Sequence, residues 1–135
     1  MSGEAFIHRV VVRPSETDRM GVVHHSRYAV YLEEARTELL RSKGVAYRDV
    51  EREGRYLVVA ELETKFRRPC RLGDTLEIDC RVTNASYVTI NHAYTVRVAG
   101  TAAVALEAKT RLACVDAQGR PQKLPEVLLR LLNVT

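Results

Sequence analysis

Between residues 27 and 42 the apolar positions recur at intervals of three and four. Tyr28, Tyr31, Leu32, Ala35 and Leu39 form one stripe, and Glu33, Glu34, Arg36, Glu38 and Arg41 cover the other faces. The spacing predicts an amphipathic helix from Arg27 to Ser42, with Gly44 as its stop. Val45 to Glu53 predicts a short second helix closed by Gly54. From there the period falls to two. In LVVAELETKF, Val58, Ala60, Leu62 and Phe66 are assigned to one face, with Glu61, Glu63 and Lys65 on the other. TLEIDCRV alternates through Leu76, Ile78, Cys80 and Val82, and VTINHAYTVRV through Val88, Ile90, His92, Tyr94, Val96 and Val98. VALEAKTRLAC sets Val104, Leu106, Ala108, Leu112 and Cys114 against Glu107, Lys109 and Arg111. FIHRVVV (Phe6 to Val12) adds a first strand.

Strands with one apolar and one polar face build an antiparallel sheet covered on one side. The breaks RLGD, TNAS and VAGT are short and turn-like, so sequential strands are expected to be neighbours. The economical arrangement is α+β: a curved antiparallel five-stranded sheet wrapped around one long helix. His92, on the apolar face of its strand, reads as a satisfied core histidine.

Composition narrows the possibilities. The 135 residues are 46% hydrophobic and 28% charged, which suits a single folded domain over 1–135 and argues against disorder. No apolar run approaches the roughly 20 residues that span a bilayer. MSGEAFIHRV lacks the basic and apolar regions of a secretory signal, so a cytoplasmic location is expected. Three cysteines at wide spacing (Cys70, Cys80, Cys114) fit reduced thiols. A net charge of +4 suits an anionic ligand, while nucleic-acid binding lacks both a motif and aromatic stacking positions.

The stretch ETDRMGVVHHSRY, Glu16 to Tyr28, carries the candidate chemistry. A carboxylate (Asp18), a turn glycine and two adjacent histidines stand immediately before a helix start. Hydrolysis at a carbonyl needs a carboxylate to attack it or to activate water, and donors for the developing oxyanion. Asp18 supplies the first. The helix beginning near His25 to Arg27 supplies the second, because its first N–H groups have no intrahelical partners. Gly21 lets the loop turn, and Val22 and Val23 anchor it. The competing reading is an ordinary turn in which the Asp18 side chain bonds local amides. A metal site from Asp18, His24, His25 and His92 is not expected, since adjacent histidines point apart and no ligand spacing supports them.

These residues resemble a known signature. ETDRMGVVHHSRYAVYLEEARTELLRSKG is similar to the N-terminal motif of the 4-hydroxybenzoyl-CoA thioesterase family, especially its YbgC-type acyl-CoA thioesterases. Asp18, Gly21, Val22, Val23, His25, Tyr28, Glu33, Ala35, Arg36 and Glu38 fall on that motif in register. FRRPCRLGDTLEI and CVDAQGRPQKLP resemble the two later motifs, so the similarity spans nearly the whole chain. His24 stands where the family usually has an aromatic residue, Arg27 where a small residue or asparagine is common, and Pro14 where an aromatic is common.

The resemblance implies the hotdog fold and hydrolysis of acyl-CoA to free acid and coenzyme A, with no metal and no redox cofactor. It implies that Asp18 is the catalytic carboxylate, as nucleophile or general base. The position of His25 polarises the carbonyl, through its backbone N–H or its imidazole. Gly21, Val22, Val23 and Tyr28 are expected to form the substrate side of the site. Arg68 and Arg71, in a basic cluster with Lys65 and Arg67, are candidates for the coenzyme A phosphates or simply a solvated edge. Glu33 is expected to pair with Arg36 or with a neighbouring subunit. VAYRDVEREGRY (Val45 to Tyr56) is either a lid on the acyl pocket or a plain connector. A five-stranded sheet with open edges calls for a homodimer, and the resemblance implies that dimers join as a homotetramer with shared active sites. Two alternatives stay open: hydrolysis of acyl groups from acyl carrier protein, and a non-catalytic acyl-CoA-binding module.

Overall fold

A computed structural model describes residues 4–134; residues 1–3 and 135 of the expected 1–135 domain lie outside the described residues. The elements are β1 (Phe6–Val11), α1 (Arg27–Ser42), α2 (Tyr47–Arg52), β2 (Tyr56–Phe66), β3 (Thr75–Ala85), β4 (Thr89–Val98), β5 (Val104–Val115) and α3 (Glu126–Leu131). The five strands form one antiparallel sheet that packs on α1, which is the α+β hotdog arrangement. Helix α1 has the predicted limits, and its buried face is the predicted stripe with Leu40 added. Gly44 ends it at φ +86°, where any side chain would be strained, and its N–H bonds Arg41. The periodicity argument did not foresee α3. Its Leu128 and Leu129, with Leu124 and Leu132 beside it, close one end of the core.

Two expectations about the sheet are corrected. The strand order is β1-β3-β4-β5-β2, so β2 does not neighbour β3. TNAS and VAGT do join neighbours. RLGD belongs instead to a crossing segment, residues 67–74, that carries the chain from one edge of the sheet toward the other. The register also breaks between Val59 and Glu61, so that Ala60 has no partner on β5. A bulge of this kind reverses the alternation beyond it. Val59, Leu62 and Phe66 oppose Leu112, Thr110 and Leu106, whose side chains are buried, while Val58 opposes Ala113 on the other face. Val58 and Leu62 therefore point to opposite faces, against the simple period-two assignment.

Strand β2 is also not covered. Val58, Val59, Leu62 and Phe66 are 43–56% exposed along a sheet edge, although the other strands bury their apolar faces. The helix is too narrow to shield the sheet out to this edge.

Candidate active site

The loop between β1 and α1 is a small hairpin. Thr17 bridges to Val23, and the Asp18 N–H donates to the Val22 carbonyl at 2.8 Å. Gly21 turns the loop at φ +75°, a conformation that a side chain would strain. The crossing segment is its floor. The Val23 N–H donates to the Cys70 carbonyl at 2.8 Å, the Leu72 N–H donates to the Gly21 carbonyl at 2.9 Å, and Val22 bridges to Arg71. The crossover that removes β2 from β3 is thus what supports the loop.

Asp18 uses one oxygen to hold the turn. Its Oδ1 accepts from the Met20 N–H at 2.8 Å and the Val22 N–H at 3.2 Å, while Oδ2 has no hydrogen-bond partner among the described residues. The side chain is exposed. Both readings of Asp18 as a residue type therefore meet in one group: a turn carboxylate by Oδ1, with a second oxygen left for chemistry.

The helix start is built by His24. Its Nδ1 accepts from the Ser26 N–H at 3.2 Å and lies 2.9 Å from Ser26 Oγ, while its carbonyl accepts from the Arg27 N–H. This bond holds the residue that precedes the helix rather than capping its first turn, and the sequence reading assigned His24 no such role. The His25 ring packs on His24 at 4.2 Å between centroids, and the His25 backbone N–H has no partner among the described residues. Arg27 reaches back to the Ser15 carbonyl at 3.4 Å. Pro14 opens the short 3-10 turn that leads into the loop.

Behind the loop, buried aromatics fix the helix. Tyr31 donates to Glu16 Oε1 at 2.9 Å, and the same oxygen accepts the Arg13 N–H. Tyr28 packs edge-on against Tyr31 and Phe66, and its hydroxyl lies beside the Cys70 thiol. Burial, then the thiol, raises the Tyr28 pKa, so this phenol stays protonated. Glu16 and Cys70 were missed as site-supporting residues; an acid two positions before Asp18 was the available signal.

Val22, Val23, His25, Tyr28, Phe66 and Arg68 are among the residues around an open cavity of about 330 Å³. Asp18 and Gly21 lie beside this cleft rather than in its lining. Arg71 joins through its backbone, and its N–H donates to Asp74 Oδ2. Arg67 is occupied by Glu107 at 2.9 Å, whereas Arg68 and Arg71 form no ion pair among the described residues.

A larger cavity of about 400 Å³ lies away from the loop, on the flank of α1. Glu33 and Arg36 both line it but form no ion pair among the described residues, which removes the first of the two partners expected for Glu33. His92 also faces this cavity. It is buried as expected but not satisfied, because its Nδ1 has no hydrogen-bond partner among the described residues. Burial first, and Arg36 second, lowers its pKa to about 4. Tyr47 lines the same cavity, and its hydroxyl clasps the Leu57 N–H and carbonyl at 2.8 Å each. Cys70, Cys80 and Cys114 are free and buried. Among the described residues no helix is long and apolar enough to cross a membrane.

Residues 12–132 match the model of the thioesterase-like superfamily. The acyl-CoA thioester hydrolase YbgC of Escherichia coli is 31% identical over 116 residues, covering 84% of this chain and 85% of YbgC. The chloroplastic acyl-acyl carrier protein thioesterase ATL3 of Arabidopsis thaliana is 33% identical over 114 residues, covering 84% of this chain and 60% of ATL3. The crystal structure of a hypothetical protein from Thermus thermophilus superposes with a TM-score of 0.86 at 39% identity, covering 94% of this chain and 96% of that one. The chain belongs to the thioesterase-like superfamily, as its likeness to the 4-hydroxybenzoyl-CoA thioesterase family implied. It is a thioester hydrolase.

Proposed function

We propose that this chain is an acyl-CoA thioesterase in which the Asp18 carboxylate drives hydrolysis and the N-terminus of α1 at His25 polarises the thioester carbonyl. One observation carries the reading: a hairpin held on the crossing segment presents a carboxylate oxygen and a helix-start N–H, both without partners. In the general-base route Asp18 takes a proton from water as the water oxygen adds to the carbonyl carbon. The oxyanion is held at the His25 N–H. Collapse breaks the C–S bond, and coenzyme A leaves as its thiol once protonated. In the nucleophilic route Asp18 adds directly, the C–S bond breaks as coenzyme A leaves as its thiolate, and water then hydrolyses the mixed anhydride to free acid and the Asp18 carboxylate. Gly21, Val22, Val23 and Tyr28 shape the acyl side, and Arg68 and Arg71 supply cations for the coenzyme A phosphates. The chemistry calls for no metal or redox cofactor.

The open β2 edge supports a homodimer, or a homotetramer built from it, in which a partner's edge closes the cleft. Residues 1–135 would act as one domain, and buried free thiols suit the cytoplasm. The test is thiol release from short, medium, long and aromatic acyl-CoAs alongside an acyl-acyl carrier protein. Turnover of acyl-CoA supports the reading. Preference for the carrier protein moves the substrate to that class. Tight acyl-CoA binding without release makes the chain a binding module and removes the proposal.

A further inference from the structure

The flank of α1 carries a charge that thioester hydrolysis does not use. Arg36 is half-buried, and no carboxylate lies within ion-pair distance of it among the described residues. It hydrogen-bonds the Tyr94 side chain, and its charge acts on the buried His92 and Cys80, so the guanidinium is turned toward the sheet. There it borders the 400 Å³ cavity, whose walls include Leu40, Val82 and Leu112. His92 is 4% exposed, faces the same space, and leaves Nδ1 unpartnered. A buried polar atom without a hydrogen bond is destabilising, and native structures rarely retain one without a reason.

The cavity has the dimensions of a ligand site, since small-molecule pockets run from about 300 to 1,000 Å³. It shares no lining residue with the cleft beside the reaction loop. Tyr31, Leu32 and Ala35, all at 0% exposure, fill the middle of α1 between the two. Its chemistry is also specific. Arg36 offers one cation, a neutral imidazole can offer one N–H, and Leu40, Leu57, Val82, Ile90, Leu112 and Leu132 supply an apolar wall. Glu33 and Glu51 at the lining repel any anion and a doubly charged phosphate more than a single carboxylate, so only a monoanion held directly on Arg36 fits.

We propose that this cavity binds a free carboxylic acid with an apolar body, its carboxylate set against Arg36 and hydrogen-bonded by His92. The acid is of the class that thioester hydrolysis releases, but the site does not depend on that reading. The test uses octanoate and octan-1-ol with the full-length protein, followed by calorimetry and by NMR of the histidine rings. Octanoate should saturate one site per chain and shift His92 while leaving His25 in place. Octan-1-ol should bind about 10- to 100-fold more weakly, the range of one charge-assisted hydrogen bond. Arg36→Met should weaken octanoate by a similar factor and leave octan-1-ol unchanged. The comparison of the two ligands on the unaltered protein needs no variant to fold. Equal binding of acid and alcohol, a shift at His25 without one at His92, or no saturable binding would each overturn the proposal.

Discussion

Asp18 and Val22 hold each other twice: the Asp18 N–H donates to the Val22 carbonyl, and the Val22 N–H donates to Asp18 Oδ1. The pairing makes Asp18→Asn a clean substitution. An asparagine carbonyl can accept both amide bonds, so the hairpin should persist while the base or nucleophile is lost. We expect kcat to fall at least roughly a hundredfold, since acid–base assistance alone is worth about 10²–10⁴-fold. The melting temperature should barely move. Near-native turnover by this variant would return Asp18 to the role of a turn residue.

The two histidines should separate cleanly. His24→Ala removes the acceptor for the Ser26 N–H, a single hydrogen bond worth about 0.5–1.5 kcal/mol. Its thermal or urea midpoint should drop. His25→Ala keeps the backbone N–H and should leave both stability and most of kcat intact. If His25→Ala loses as much activity as Asp18→Asn, the imidazole itself takes part.

The edge strand makes a prediction about assembly. Val59, Leu62 and Phe66 are exposed on the core-facing side of an unpaired edge, which is an adhesive surface unless a partner covers it. Light scattering should give twice or four times the 15.2 kDa chain mass. Leu62→Lys should shift the protein toward monomer and reduce activity with it. A fully active monomer at micromolar concentration would refute shared active sites.

Acid should expose His92. Burial, assisted by Arg36, takes its pKa from 6.5 down to about 4 in the folded chain. Between those values the unfolded chain binds the proton and the folded one does not, so stability falls as pH is lowered. The contribution is intact above about pH 6.5 and is lost progressively toward pH 4, by roughly 3 kcal/mol at most. His92→Leu should flatten this part of the stability–pH curve, measured by urea unfolding at several pH values. An unchanged slope would mean that other groups carry it.

What the sequence determined by itself is what local periodicity can encode. The period of α1 appears in Tyr28, Tyr31, Leu32, Ala35 and Leu39, and the structure reproduces its limits from Arg27 to Ser42. The alternation of β3, of β4 and of β5 from Leu106 onward was equally legible, because hairpin neighbours bury one face each, whereas a bulge at Ala105 turns Val104 to the face of Arg97. The candidate loop was legible as residue types in a spaced motif. Tertiary structure alone decided which strands meet: β2 lies at the far edge beside β5, and Ala60 bulges so that Leu62 and Val58 part company. It also decided that residues 67–74 would become the floor of the Asp18 hairpin, and that His92 and Arg36 would face one cavity. Strand order, bulges and unpaired buried atoms depend on contacts between residues distant in the chain, and the repeat of apolar positions along a segment carries no record of its partner.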